Sequence, residues 1–323
     1  QIGEKGSGAG QFGTDWWLRL AIGPNGDAWI TDAGNARMER WSIAANIQAS
    51  YTTSFGSQGS GNGQFNVLSD VAIDPTDGTT WAADDENDRI QHFDAGGSYL
   101  GQFKSCYDPA AVEADAVGDL YVACSSGNSK VVEYNDKGEL LRQVAAFGTG
   151  NGQVNFPLDL ALDAEQNLWI ADTANDRIEQ LSPSGEFLQT VALGAQGRPW
   201  GIDVAPDGDV WVAEILNQRV SVFDPQGGLR FRFGSPGSAA GQFERPVDVE
   251  VDANGFAWVG DPLGNRVQIF NDEGEYVSQI GEKGSGAGQF GTDWWLRLAI
   301  GPNGDAWITD AGNARMERWS VVW

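Results

Sequence analysis

Asp70, Asp159 and Asp248 fall at the same place in three copies of a repeated pattern, each at the start of a short apolar strand. Carboxylates brought to a common axis could hold a hard cation such as calcium, which takes oxygen ligands. They could equally be solvated, or paired with Arg19 and Arg297, which stand at the matching place in two further copies. Aromatic residues gather at the same point. Trp16 and Trp17 lie in "FGTDWWLRL", Trp294 and Trp295 repeat them, and Trp200 sits in "RPWGIDV". Two adjacent tryptophans cannot both point inward from one strand, so one of each pair must face elsewhere. Exposed aromatics beside polar groups suit a sugar or a peptide, and a plug packed on a neighbouring loop suits them equally. With Arg245 of "FERPVDV", the candidate ligand-binding set is Trp16, Trp17, Arg19, Trp200 and Arg245.

Catalytic chemistry finds little support. The single histidine, His92, lies in the strand-like "RIQHFD", and no Ser-His-Asp or Cys-His set can be assembled around it. Cys106 and Cys124, eighteen residues apart in one repeat, could pair across neighbouring strands in an oxidising compartment or remain buried thiols. Two cysteines and one histidine make a zinc site with nitrogen and sulfur ligands a poor fit. The expected cofactor is none, with calcium as the alternative.

These residues are positioned by a repeat array. Residues 1–42 and 279–320 are identical letter for letter at an offset of 278, and diverged versions of the same unit lie between them. Each of seven units runs from a glycine-rich loop ending in "GQF" or a related form, through a short strand, to "W-[IV]-x-D-x-x-N-x-R-[IV]". The anchor aromatics are Trp29, Trp81, Tyr121, Trp169, Trp211, Trp258 and Trp307, spaced 40 to 52 residues apart, the period of propeller blades. Within a unit, short β-rich runs such as "LDLALD", "NLWIAD", "RIEQLS" and "FLQTVALG" are separated by Gly, Asn, Asp and Pro turns, which predicts hairpins. Four antiparallel strands per unit, repeated around a ring, predict an all-β propeller. The glycine loops are each followed by a strand rather than a helix, so they read as connectors and not phosphate cradles.

Segments such as "WIADTANDRIEQL", "WVAEILNQRVSVFD" and "WVGDPLGNRVQIFNDEGEY", with loops such as "FGSQGSGNGQF" before them, resemble NHL repeats over essentially the whole chain. The third unit departs most, with Cys124 in place of the aspartate and Lys130 in place of the arginine. The resemblance implies a propeller, usually of six blades. It also brings in related metal-dependent lyases, which rely on several histidines, and calcium lactonases built from Asp, Asn and Glu. A metal-dependent hydrolase of the lactonase kind is therefore the alternative function, and a non-catalytic binding or structural module the expected one. NHL domains are often parts of larger or secreted proteins, which implies an extracellular or periplasmic parent.

The number of blades follows from how the two identical copies are used. Residues 43–323 alone would make a six-blade ring, with strand 47–56 closing the last blade beside 291–320. Treating residues 1–323 as one propeller domain instead favours seven blades, the last three-stranded, and this is the expectation adopted. A third arrangement has the copies competing for one place or pairing with another molecule, so the chain is expected as a monomer or a swapped oligomer. Identity over 42 residues among diverged repeats implies recent duplication or engineering, of which engineering is favoured.

Composition narrows the partners. A net charge of −25 and a pI near 4.1 disfavour nucleic acid and anionic membrane surfaces, which demand clustered lysine and arginine. No apolar run of about 18 residues is present to span a bilayer as a helix. Protein, peptide or carbohydrate remain as partners.

Overall fold

The computed structural model describes residues 49–301 and 304–321 with their side chains. It also describes the backbone of Gln48 and Val322 and of the strands Glu4–Lys5, Gln11–Phe12, Leu18–Ile22, Ala28–Asp32 and Arg37–Trp41. Two compact units divide the chain, residues 1–47 with 323 and residues 48–322. In the first unit Leu18–Ile22, Ala28–Asp32 and Arg37–Trp41 form a three-stranded antiparallel sheet.

The second unit is a ring of six four-stranded antiparallel blades, where seven had been expected. Blades I to VI take residues 68–104, 109–147, 157–192, 199–233, 248–280 and 298–322, the second to seventh repeats. Blade II carries an additional two-residue strand, Gln153–Val154, along its outer edge. The fourth strand of blade VI comes from the other end of the unit: Gln48–Phe55 pairs antiparallel with Arg315–Val322, from Gln48 opposite Val322 to Phe55 opposite Met316. The innermost strand of each blade touches that of the next, and that of blade VI touches that of blade I. The ring therefore closes on itself and leaves no gap for a seventh blade.

The second strand of every blade is buried along its whole length, because neighbouring blades cover both of its faces. Outer strands such as Tyr99–Lys104 and Phe187–Ala192 alternate half-buried and exposed positions, as a strand covered on one face does. The core thus sits between blades, and the repeated aromatic lies in it: Trp81 between I and II, Trp169 between III and IV, Trp211 between IV and V, Trp307 between VI and I. His92 belongs to this packing. Its ring stacks on Trp81 at 3.7 Å, and Nε2 meets the Thr79 hydroxyl at 2.7 Å.

The "D-x-x-N-x-R" residues fasten the connectors. In blade I, buried Asp84 accepts from the Asn66 backbone N–H, from Asn87 and from Arg89 Nε, while the rest of the Arg89 guanidinium donates to the carbonyls of Ser60, Gly61 and Gln64. Asp172 with Arg177, Asp261 with Arg266 and Asp310 with Arg315 hold the next long glycine connectors in the same way. Blade II has a short connector, and Cys124 in the aspartate's seat is joined by a disulfide to Cys106 in that connector.

Two residues beyond the clamp arginine, Gln91 accepts from Gly63 N–H and donates to the Gln64 carbonyl, and Gln268 repeats this with Gly241 and Gln242. Blade III has Glu179 there, fully buried, with Arg177 Nη2 at 3.1 Å and the Gly152 N–H as its partners. Burial pushes its carboxyl up to about 7 from 4.5, against the opposing pull of Arg177. The folded state thus holds a proton that the unfolded chain has released, a contribution present below about pH 4.5 and lost as pH rises through about 7. Glu179→Gln should stabilise the ring by roughly 1–3 kcal/mol above neutrality, a gain that shrinks toward zero in acid. Urea unfolding of both proteins at about pH 5 and about pH 8 measures it.

Candidate functional site

Every inner strand presents one residue to the axis opposite a small residue of its partner strand: Asp70, Ala111, Asp159, Gly201 and Asp248 face Ala83, Ala123, Ala171, Ala213 and Gly260. Arg297 completes the layer from blade VI, its carbonyl accepting from Thr309 N–H. Gly201 is required here, since a Cβ would lie 2.5 Å from the Asp248 Cα of the adjoining blade.

The three predicted aspartates do come to this layer, and each staples its blade to the next. Asp70 accepts from Val112 N–H, Asp159 from Ile202 N–H and Asp248 from Leu298 N–H, at 2.7 to 2.8 Å. Between them lies the wholly buried guanidinium of Arg297. Its Nη1 pairs with Asp159 at 2.9 Å and Asp248 at 3.0 Å, and its Nη2 donates to the carbonyls of Leu158 and Trp200. Burial raises Asp70 to about 7 and lifts Asp159 well above and Asp248 above the usual carboxylate range, and Arg297 opposes each shift. Burial works against the charge of Arg297, but the three carboxylates outweigh it and hold its pKa above the usual guanidinium value. The aspartates therefore already share one cation, the arginine.

A second layer, two residues further along the inner strands, is formed by Glu113, Asp203 and Glu250, facing Tyr121, Trp211 and Trp258. Sequence reasoning missed it. The usable signal was the strand period: blades II and IV, which lack an acid in the first layer, carry one at the next inward position. No cation pairs with this layer among the described residues. Burial, reinforced by mutual repulsion, raises Glu113 and Glu250 well above the ordinary range and Asp203 to about 6. Asp203 and Glu250 line a cavity of ≈ 770 Å³ that also meets Trp169, Val251 and Ile300 at the lower end of the ring. Among the described residues, the carboxylates that converge closely enough to share one ion are Asp115, Asp119 and Glu133 of blade II, and Glu133 is already paired with Arg142.

The upper mouth carries the aromatic set. The side chains of Trp16, Trp17 and Arg19 lie outside the described residues, and Trp294, Trp295 and Arg297 are their counterparts in the ring. Trp200 stacks on Trp295 at 5.8 Å with 13° between the planes, and meets Trp294 at 6.2 Å. Arg245 lies 3.5 Å over the Trp294 ring, and Arg297 5.6 Å beneath that of Trp295. Trp294 remains 53% exposed. The inner strand of blade IV and the connectors into blades V and VI thus form one platform, seated on the Arg297 cluster. Replacing Arg297 by methionine would leave three buried carboxylates without their counter-charge, an expected loss of about 3–5 kcal/mol near neutrality. The aspartate pKa values would rise further, so the loss is greatest at high pH and narrows as the carboxyls protonate in acid, which denaturation at two pH values would read.

No family model matches the chain. Over 120 residues it is 28% identical to "NHL repeat-containing protein 3" of Mus musculus and 30% identical to that of Homo sapiens, in each case 36% of this chain. The match spans about a third of those relatives, 35% of their length. Similar solved structures include a protein of unknown function from Bacteroides thetaiotaomicron, at TM-score 0.68 and 14% identity, covering 92% of this chain and 82% of that one. A gluconolactonase from Xanthomonas campestris gives 0.64 and 15%, covering 81% and 88%, and virginiamycin B lyase from Staphylococcus aureus 0.57 and 14%, covering 94% of each. At these identities the likeness is one of fold. Residues 48–322 form a six-bladed β-propeller built of repeats that resemble NHL repeats.

Proposed function

We propose that this propeller is a non-catalytic binding module whose ligand lies on the upper mouth. The observation that carries this reading is the Trp200–Trp294–Trp295 platform with Arg245, a partly exposed aromatic surface over a buried base. A soluble chain gains nothing in stability from leaving an indole half in water, whereas recognition sites are enriched in Trp and Arg. The platform rests on residues already fixed by Arg297, so binding needs little ordering of the protein.

A second reading, a metal-dependent hydrolase of the lactonase kind, is favoured by the uncompensated carboxylates Asp203 and Glu250 in the lower cavity. Substitution at the two ends separates the readings. Trp200→Ala with Trp294→Ala is expected to weaken binding to any oligosaccharide or peptide recovered from an array by about tenfold or more, with Glu250→Gln leaving it unchanged. Treatment with EDTA should alter neither affinity nor melting temperature. Calcium-dependent binding, or calcium-dependent opening of a lactone that Glu250→Gln removes, would favour the hydrolase.

A further inference from the structure

The mouth carries a chemical preference as well as a place. Among the described residues every arginine except Arg198 and Arg245 has a carboxylate within ion-pair distance. These two occupy the same position in adjacent blades, each preceding a proline that leads into an inner strand, in "RPWG" and "RPVD". Arg198 is exposed beside Trp200 in the chain, and half-buried Arg245 is stacked on Trp294. In a chain of net charge −25, two unpaired guanidiniums beside an exposed aromatic platform are not explained by folding.

We infer that the mouth binds an acidic sugar, a pyranose bearing a carboxylate, an inference that rests on the mouth being the binding face. The flat indole faces, negative at their centres, suit the C–H face of a pyranose, and the guanidinium fork matches a carboxylate in two parallel hydrogen bonds. The negative charge of the rest of the chain opposes such a ligand at long range. Screening over about 8 Å at physiological ionic strength leaves the local arginines dominant. The test is tryptophan fluorescence titration with trigalacturonate and with its methyl ester, which keeps the sugar rings and carries no charge. The acid is expected to bind about tenfold or more tightly than the ester, and Arg198→Gln with Arg245→Gln to remove that difference while leaving the melting temperature unchanged. Equal affinity for acid and ester would overturn the charge preference and leave the mouth as binding face. Binding of peptides alone, lost in Trp294→Ala, would overturn the sugar class. If ligands of every kind bind Trp200→Ala/Trp294→Ala unimpaired, the mouth itself is the wrong face.

A separate observation carries a second proposal. The sheet formed by residues 18–41 repeats the sequence and register of blade VI: Ala21 faces Trp29 as Ala299 faces Trp307, and Thr31 faces Met38 as Thr309 faces Met316. Among the described residues, one strand, Gln48–Phe55, is available to complete either sheet. We propose that the ring exchanges between two frames within one chain, residues 48–322 as described and residues 1–280 with the first copy in the sixth seat. In the second frame Gln48–Phe55 follows Arg37–Trp41 as a hairpin, as in the other five blades, at the small entropic cost of a longer turn. Assembly cannot use the surplus, since every added chain brings one seat and two occupants. The tether of residues 42–47 makes the internal copy the favoured competitor.

Trp29 and Trp307 decide the matter in the full chain. Each single alanine variant is expected to keep nearly the parental urea midpoint, because the intact copy takes the seat, and the double variant to lose it. A Trp307→Ala variant as impaired as the double variant, or unable to fold, would overturn the exchange.

Discussion

The Arg297 guanidinium is the group on which the ring's interior depends. It holds blades III and V by charge through Asp159 and Asp248, and blades III and IV through backbone carbonyls, while belonging to blade VI itself. Removing an isolated cation from water is costly by many kcal/mol, so such a residue is tolerated only when carboxylates surround it. The converse also holds. Three aspartates at one level of a narrow channel repel one another, and burial disfavours each of them. Neither the acids nor the base would be stable there alone, and the platform of tryptophans above rests on their combination.

Much of the architecture was legible because repetition tells a fold several times over. The recurring tryptophans lie at the interfaces between blades, and the Asp and Arg shared by most units bridge a hairpin. The structure shows that bridge to be also a clamp on the incoming connector. The number of blades was not legible, because repeats count units of sequence and a ring counts seats. Gln48–Phe55 reads as the end of the first unit and serves as the end of the last. Arg297 was visible at its matching position, but whether the aspartates would turn to it, to solvent or to an ion depends on distances that only the closed ring sets.

Blade II shows how chemically different solutions can fill one structural seat. Four blades hold a long glycine connector with a carboxylate and a guanidinium. Where the connector is short and the arginine is replaced by Lys130, Cys124 takes the carboxylate's place and bonds covalently to Cys106. Both devices tie the end of a second strand to the loop that leads into its own blade. They answer to different conditions, one to charge and the other to redox potential, and the second persists only where thiols are kept oxidised.

The closing pair has a consequence for the order of events during synthesis. Gln48–Phe55 leaves the ribosome five blades ahead of its partner Arg315–Val322. An unpaired strand waiting through the intervening translation is an invitation to aggregation. The residues just ahead of it, 37–41, spell the same partner and are already present. In the second frame proposed above, the duplicated segment would cover that strand until the partner that seals the ring has been made.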